Sequence, residues 1–302
     1  MNTSKPTIVL VQGSFQTSLV YEQLRTGLHN AGYPVVHPKL PSICTDIDDT
    51  EFLSRTLKDD ADAVTTALQH LVEEEKKSVV VVMHSYGGIV GTEAIPKHLT
   101  HAARRTQGHQ GGVLHLFYFA AFILPEGKSV LEVFGESPIN DVQVCTPKTP
   151  GPFHLPGRQP LSFSLLFRSC DYVHHSSLTR SPYNLQPDGT SRLKTGAQTV
   201  YGDLPAAEAA LWESRLVPQS YAVQTTCTTR AAYEYLPSTY LVCEGDQAVP
   251  PSFQEGFAGL ARAEMDRCTA GHSPMLSQPA MLVGKIAAVV DQAGAAAAGS
   301  SL

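Results

Sequence analysis

Val79-Val80-Val81-Val82-Met83-His84-Ser85-Tyr86-Gly87-Gly88 is the stretch on which the reading of this chain turns. Four successive valines suit a strand buried on both faces, the habit of central parallel strands. The run stops at a serine and two glycines, after which residues 87–98 read as a helix. Working outward, Thr7-Ile8-Val9-Leu10-Val11 is a second buried strand, broken by Gln12-Gly13-Ser14-Phe15. Residues 19–30 carry Val20, Leu24 and Leu28 at helical spacing, with Gly32 as the expected stop. Val35-Val36-His37 is a short strand. The acidic stretch 46–51 suits a helix start, and a helix is expected over 52–75. Further strands are expected at 114–122, 240–243 and 263–268, and a last helix at 279–292 with Pro at its first turn.

Strands alternating with helices at both ends of the chain predict an α/β fold with a mostly parallel, doubly wound sheet. Residues 125–236 are rich in Pro, Ser, Thr and aromatics and lack a clean period. They are expected to form a cap over the carboxyl edge of the sheet, where open α/β sheets hold ligands. The expected division is a core of 1–124 and 237–293, a cap of 125–236 and a loose Ala/Gly/Ser tail of 294–302.

A serine at a sharp strand-to-helix turn is presented above the sheet, so Ser85 is the expected nucleophile. Gly87 allows close packing downstream, but Met83 stands where the G-x-S-x-G pattern has its first glycine. Of twelve histidines, His272 lies in a loop after the last strand, as the chain order Ser, acid, His requires. Asp246, after strand 240–243, is the expected acid, with Glu126 as its rival and Glu244 pointing away. His84 is expected to be structural. Developing negative charge needs backbone donors: the N–H of Tyr86, and that of Ser14 or, second, Phe15. Gly13 lets the backbone approach. Gly13, Phe122 and Trp212 are the expected substrate contacts. Of the aromatics Phe163, Phe167, Tyr172, Tyr183, Tyr201, Trp212, Tyr221 and Tyr233, most are expected to pack the cap.

These residues together resemble the α/β-hydrolase superfamily, and more closely its branch of plant methylesterases and hydroxynitrile lyases with related fungal hydrolases. The similar stretches are Ile8-Val-Leu-Val-Gln-Gly-Ser14, His84-Ser-Tyr-Gly-Gly88, Tyr118-Phe-Ala-Ala-Phe-Ile-Leu-Pro125, Cys243-Glu-Gly-Asp-Gln-Ala-Val-Pro250 and Gly271-His-Ser-Pro-Met-Leu-Ser-Gln-Pro279. The resemblance implies an α/β-hydrolase fold and a Ser85–His272–Asp246 triad. There are three departures. Gln12 stands where the usual oxyanion loop has His, Met83 replaces a glycine, and Ser273 replaces the lysine of the lyases, which argues against cyanohydrin cleavage.

The expected reaction is hydrolysis of a carboxylic ester, thioester or lactone of an apolar or aromatic small molecule through an acyl-enzyme on Ser85. Two other outcomes stay open. The same triad could serve cyclisation, lactonisation, acyl transfer or carbon–carbon cleavage, as in specialised metabolism. The fold could also act as a non-catalytic small-molecule receptor. Epoxide or halide chemistry would want Asp at position 85.

The chain has 302 residues, 42% of them hydrophobic and 17% charged, and a net charge of −6 without like-charge blocks. This composition fits a globular protein and lacks the basic stripe of a nucleic-acid binder. Neither a leader nor an eighteen-residue apolar run is expected, so no membrane partner is expected either. The six scattered cysteines form no CxxC pair, and reduced thiols in a cytoplasmic protein are the simpler reading. The adjacent His174-His175 lacks partners at metal-ligand spacing, so no metal is expected. No cofactor is expected, because there is no Walker loop and no dinucleotide glycine spacing. Oligomeric state is open, a homodimer included.

Overall fold

The computed structural model describes residues 5–46, 48–135, 140–142 and 189–299. The valine run forms β3 (Ser78–His84), and residues 79–82 have no exposed surface. Alternate side chains of a strand point to opposite faces. Val79, Val81 and Met83 therefore join one apolar cluster with Val9 and Val11 of β1 (Thr7–Val11). Val80 and Val82 join a second cluster with Ile8 and Leu10. Both faces are apolar, so the usual alternation is replaced by a continuous run. Burial of each such valine contributes about 1.5–3 kcal/mol.

Six parallel strands form the main sheet in the order β2-β1-β3-β4-β8-β9. Here β2 is Val35–Val36, β4 Gly112–Phe119, β8 Ser238–Cys243 and β9 Glu264–Cys268. The order reverses between β1 and β3, and their carboxyl ends open the crevice in which such sheets bind ligands. The loop with Gly13 leaves β1 there, and Ser85 leaves β3. Strands β4 and β8 are neighbours although 119 and 238 are far apart in sequence, so the intervening chain leaves the sheet and returns. Part of it makes a small antiparallel sheet of β5 (Asn140–Val142), β6 (Thr190–Leu193) and β7 (Gln219–Ser220). A bridge between Ile43 and Gln219 fastens this sheet to the loop after β2.

Several expected boundaries move, each for a local reason. The helix expected over 19–30 begins as a 3-10 turn, Ser18–Tyr21, and becomes α1 (Glu22–Asn30). The helix expected over 52–75 is interrupted at Arg55, which is extended. It restarts as α2 (Leu57–Gln69) behind a capping box in which Thr56 and Asp59 satisfy each other's backbone donors. The helix after Ser85, α3 (Gly87–Glu93), is shorter than expected, and a 3-10 turn, Lys97–Leu99, follows Pro96. The strand expected at 114–122 is Gly112–Phe119, because Ala120 takes a positive φ of 46°. Residues 294–299, expected to be loose, continue the helix Pro279–Gly299; alanine is the best helix former. That helix is long and apolar enough, by length and composition, to cross a bilayer. Leu282, Ile286 and Val290, spaced four apart, bury one face of it in the second cluster. Phe163, Phe167, Tyr172, Tyr183, Cys145, Cys170 and His174-His175 lie outside the described residues.

Candidate active site

Ser85 has φ 53°, a left-handed conformation that non-glycine residues rarely adopt. Such strain costs about 1–3 kcal/mol and is held in place by its surroundings. The Ser85 carbonyl accepts from the N–H groups of Gly88 and Phe122, both at 3.0 Å. A side chain on Gly13 would come within 2.9 Å of Ser85 Cβ, so the loop after β1 approaches the serine only because it carries glycine there. The missing upstream glycine is compensated one turn into α3. The side chain of Met83 fills the space at Gly91, where an added Cβ would meet Met83 Sδ at 2.5 Å.

His272 Nε2 lies 3.1 Å from Ser85 Oγ, and His272 Nδ1 lies 2.9 Å from Asp246 Oδ2. All three residues are buried. The carboxylate can only accept, so His272 carries a proton on Nδ1, and its Nε2 faces the serine hydroxyl. Asp246 Oδ1 accepts from the N–H groups of Ala248 and Val249, each at 2.8 Å. Its Oδ2 also accepts from Gln254 Nε2 at 3.2 Å. Gln254, on the helix Pro251–Leu260, is fully buried and bonds Cys243 N–H and the Val249 carbonyl as well. The acid is thus fixed by four donors around two oxygens. The rival Glu126 is exposed, and Glu244 faces Arg267 at 3.6 Å.

Among the described residues, no acceptor pairs with the N–H of Ser14, Phe15 or Tyr86. The N–H of Gly13 is engaged by Tyr21 Oη at 2.8 Å. Phe15 takes a positive φ of 63° and its carbonyl accepts from Val217 N–H at 2.9 Å, which ties the loop to the segment leading into β7.

The other expected contacts divide. Phe122 lies beside the serine through its backbone, with its half-buried ring in a cluster with Phe134 and Phe257, at 5.5 and 5.9 Å. Trp212, expected at a pocket wall, is half-buried on the helix Ala206–Glu213 and packs on the second cluster. Arg215 lies 4.7 Å from its ring centre, and packing explains its position.

Gln16, Asp203 and Asp60 carry no signal in the sequence, and Tyr201 stands out there only as one of the cap aromatics. Tyr201 is buried and reaches Gln16 at 3.3 Å, and Gln16 lies 3.5 Å from Ser273 Oγ. Position 273 is therefore an uncharged, buried member of a polar cluster. Asp203 accepts the Gly271 N–H at 2.6 Å, just before His272. Asp60 is fully buried and accepts from Tyr86 Oη at 2.9 Å, from Ser42 N–H at 2.9 Å and from Ser42 Oγ at 2.6 Å. Burial pushes its carboxyl up to about 6, against the pull of these hydrogen bonds.

A doubly wound parallel sheet with a serine, a histidine and an aspartate converging at its carboxyl edge is the architecture of the α/β-hydrolase fold. The chain belongs to the alpha/beta hydrolase family, whose profile matches residues 8–285. It is 29% identical over 282 residues to the alpha/beta hydrolase nvfD of Aspergillus novofumigatus, covering 92% of this chain and 94% of that one. It is 26% identical to the probable hydrolase R7 of a Phoma species, covering 92% and 96%. Polyneuridine aldehyde esterase superposes with a TM-score of 0.62 at 16% identity, covering 94% of this chain and 99% of that one. Methylesterase MES16 from Arabidopsis gives 0.61 at 15%, covering 95% and 99%. Tomato methylketone synthase I, solved with 2-tridecanone, gives 0.65 at 12%, covering 95% and 98%. The chain is a hydrolase of this family, with the fold of these esterases and of the synthase.

Proposed function

We propose that this hydrolase cleaves a carboxylic ester, thioester or lactone through an acyl-enzyme on Ser85. The observation that carries the reading is the unbroken chain from Ser85 Oγ to His272 Nε2 at 3.1 Å and from His272 Nδ1 to Asp246 Oδ2 at 2.9 Å. His272 Nε2 takes the hydroxyl proton as Oγ attacks the carbonyl carbon. The resulting oxyanion rests on the N–H of Tyr86 and that of Ser14 or Phe15. Collapse expels the alkoxide or thiolate, which takes the proton from His272. Water then attacks the acyl-enzyme, again with His272 as base, and frees the acid and Ser85. Asp246 stabilises the imidazolium and holds the productive tautomer. An apolar or aromatic acyl group is the proposed substrate portion, and the apolar cluster of Phe122, Phe134 and Phe257, whose first member bonds the Ser85 carbonyl through its N–H, is compatible with it.

A second reading keeps the acyl-enzyme and replaces water with a hydroxyl of the substrate, giving a lactone or a transferred acyl group. The burial of Ser85 and His272 favours it, since only 7% and 3% of their surfaces are exposed. The test is turnover of a panel of p-nitrophenyl esters, thioesters and aryl lactones by wild type and Ser85→Ala. Release of free acid by wild type alone supports hydrolysis. Products that retain the acyl group on a second hydroxyl support transfer. Equal turnover by Ser85→Ala contradicts both.

A further inference from the structure

Behind the nucleophile runs a second buried chain of hydrogen bonds that the proposed reaction does not itself use. Gly13 N–H donates to Tyr21 Oη at 2.8 Å. Tyr21 Oη lies 2.7 Å from His84 Nδ1. His84 Nε2 lies 2.8 Å from the backbone carbonyl of His272. Tyr21 and His84 have no exposed surface. The chain thus starts in the loop that offers the oxyanion donors and ends on the backbone of the proposed base.

Counting protons fixes the direction of every bond. A carbonyl only accepts, so His84 carries a proton on Nε2. Burial, then the neighbouring His272, holds His84 well below the ordinary histidine range, so it is neutral and its Nδ1 is bare. That nitrogen must accept, and among the described residues the proton within its reach is the phenol proton of Tyr21. Tyr21 then has no proton for Gln16, whose side-chain amide lies 2.8 Å from Oη. The Gln16 amide must therefore turn its NH2 to Tyr21 and its carbonyl to Tyr201 Oη and Ser273 Oγ; the two orientations have the same shape. All partners are then satisfied. The neutrality of His84 also matters for chemistry. Its ring centre lies 4.9 Å from that of His272, and a charge there would oppose the imidazolium that forms in the reaction.

We propose that Tyr21 and His84 are positioning residues that lock the Gly13–Phe15 loop to the backbone of His272 and so set the distance between the oxyanion donors and the base. This rests on the acyl-enzyme reading. Tyr21→Phe keeps the ring and removes the hydroxyl that joins Gly13 N–H, Gln16 and His84 Nδ1. With p-nitrophenyl butyrate as probe, the variant is expected to lose about 10- to 100-fold in kcat, with KM changed less than about twofold, because the loop contributes to the transition state and not to ground-state binding. The rate at which a fluorophosphonate modifies Ser85 should fall in parallel. A Tyr21→Phe protein that turns over and reacts like wild type overturns the inference while leaving the acyl-enzyme reading intact. A wild type whose Ser85 does not react overturns both. A measurement independent of any variant is 15N NMR of histidine-labelled wild type. It should show His84 neutral with its proton on Nε2 at neutral pH and still at the ordinary histidine midpoint of 6.5. A charged ring, or a proton on Nδ1, would contradict the assignment.

Discussion

Asp246 and Asp60 are both buried carboxylates within one residue's reach of the strand-to-helix turn, yet they are held in different ways. Asp246 is gripped by two backbone N–H groups and a glutamine, and it directs one oxygen at His272. Asp60 is held by Ser42 and by the hydroxyl of Tyr86, and it addresses no base. The first arrangement aims a carboxyl oxygen at the ring that is proposed to serve as base. The second braces the side chain whose backbone N–H is proposed to hold the oxyanion. Burial alone therefore does not mark a catalytic acid; the group it addresses does.

The sharpest test of this contrast is to neutralise each acid in turn. Asp246→Asn preserves shape but favours the wrong tautomer of His272, and kcat on p-nitrophenyl butyrate is expected to fall about 10³- to 10⁴-fold. Asp60→Asn should stay within about tenfold of wild type. Equal losses would break the comparison.

Stability against pH separates the two acids next. The native state holds the Asp60 proton up to about pH 6, whereas the ordinary aspartate value is 3.8. The folded protein thus binds more protons than the unfolded chain between these values. The stability this contributes is present below about pH 4 and is lost as pH rises through about 6, in total roughly 2–3 kcal/mol. His37 and His115, pushed down to about 4 chiefly by burial, act in the opposite sense: their contribution is present above the ordinary histidine value of 6.5 and is lost as pH falls toward 4. The quantity to read is therefore wild type minus Asp60→Asn, from urea unfolding across this range. The difference should shift toward wild type as the solution is acidified, and a flat difference would remove the buried ionisation from the account. Tyr86→Phe is the mildest change. It frees one acceptor of Asp60 and should cost about 1–2 kcal/mol in the same unfolding assay, with kcat lowered only a few-fold. A larger kcat loss would give Asp60 a greater share in holding the oxyanion donor.

The same contrast explains what the sequence could and could not reveal. Asp246 was legible because chain order and a loop after a strand point to it. Asp60 sits inside α2 among Asp59 and Asp62, where nothing in the pattern separates a buried acid from solvated ones. The sheet was legible because both faces of β1 and β3 are apolar, and the helix ends were not, because capping at Thr56 and the break at Pro96 override a continuing apolar period. Met83 read as a departure, yet its compensation lies at Gly91, eight residues on, and only packing shows it. Tyr21 read as part of an amphipathic helix, and its contact with His84 joins residues 63 apart in sequence. Trp212 reads in the sequence as a substrate contact, while Tyr201 is the aromatic that reaches, through Gln16, the polar cluster at Ser273.

The most direct measurement is the intact mass of wild type and Ser85→Ala after treatment with a fluorophosphonate, followed by peptide mapping. The expected result is one adduct per wild-type chain, located on Ser85, and none on Ser85→Ala. A folded wild-type protein that gains no adduct, or an adduct that persists in Ser85→Ala, would contradict the proposal that Ser85 is the activated nucleophile of this hydrolase.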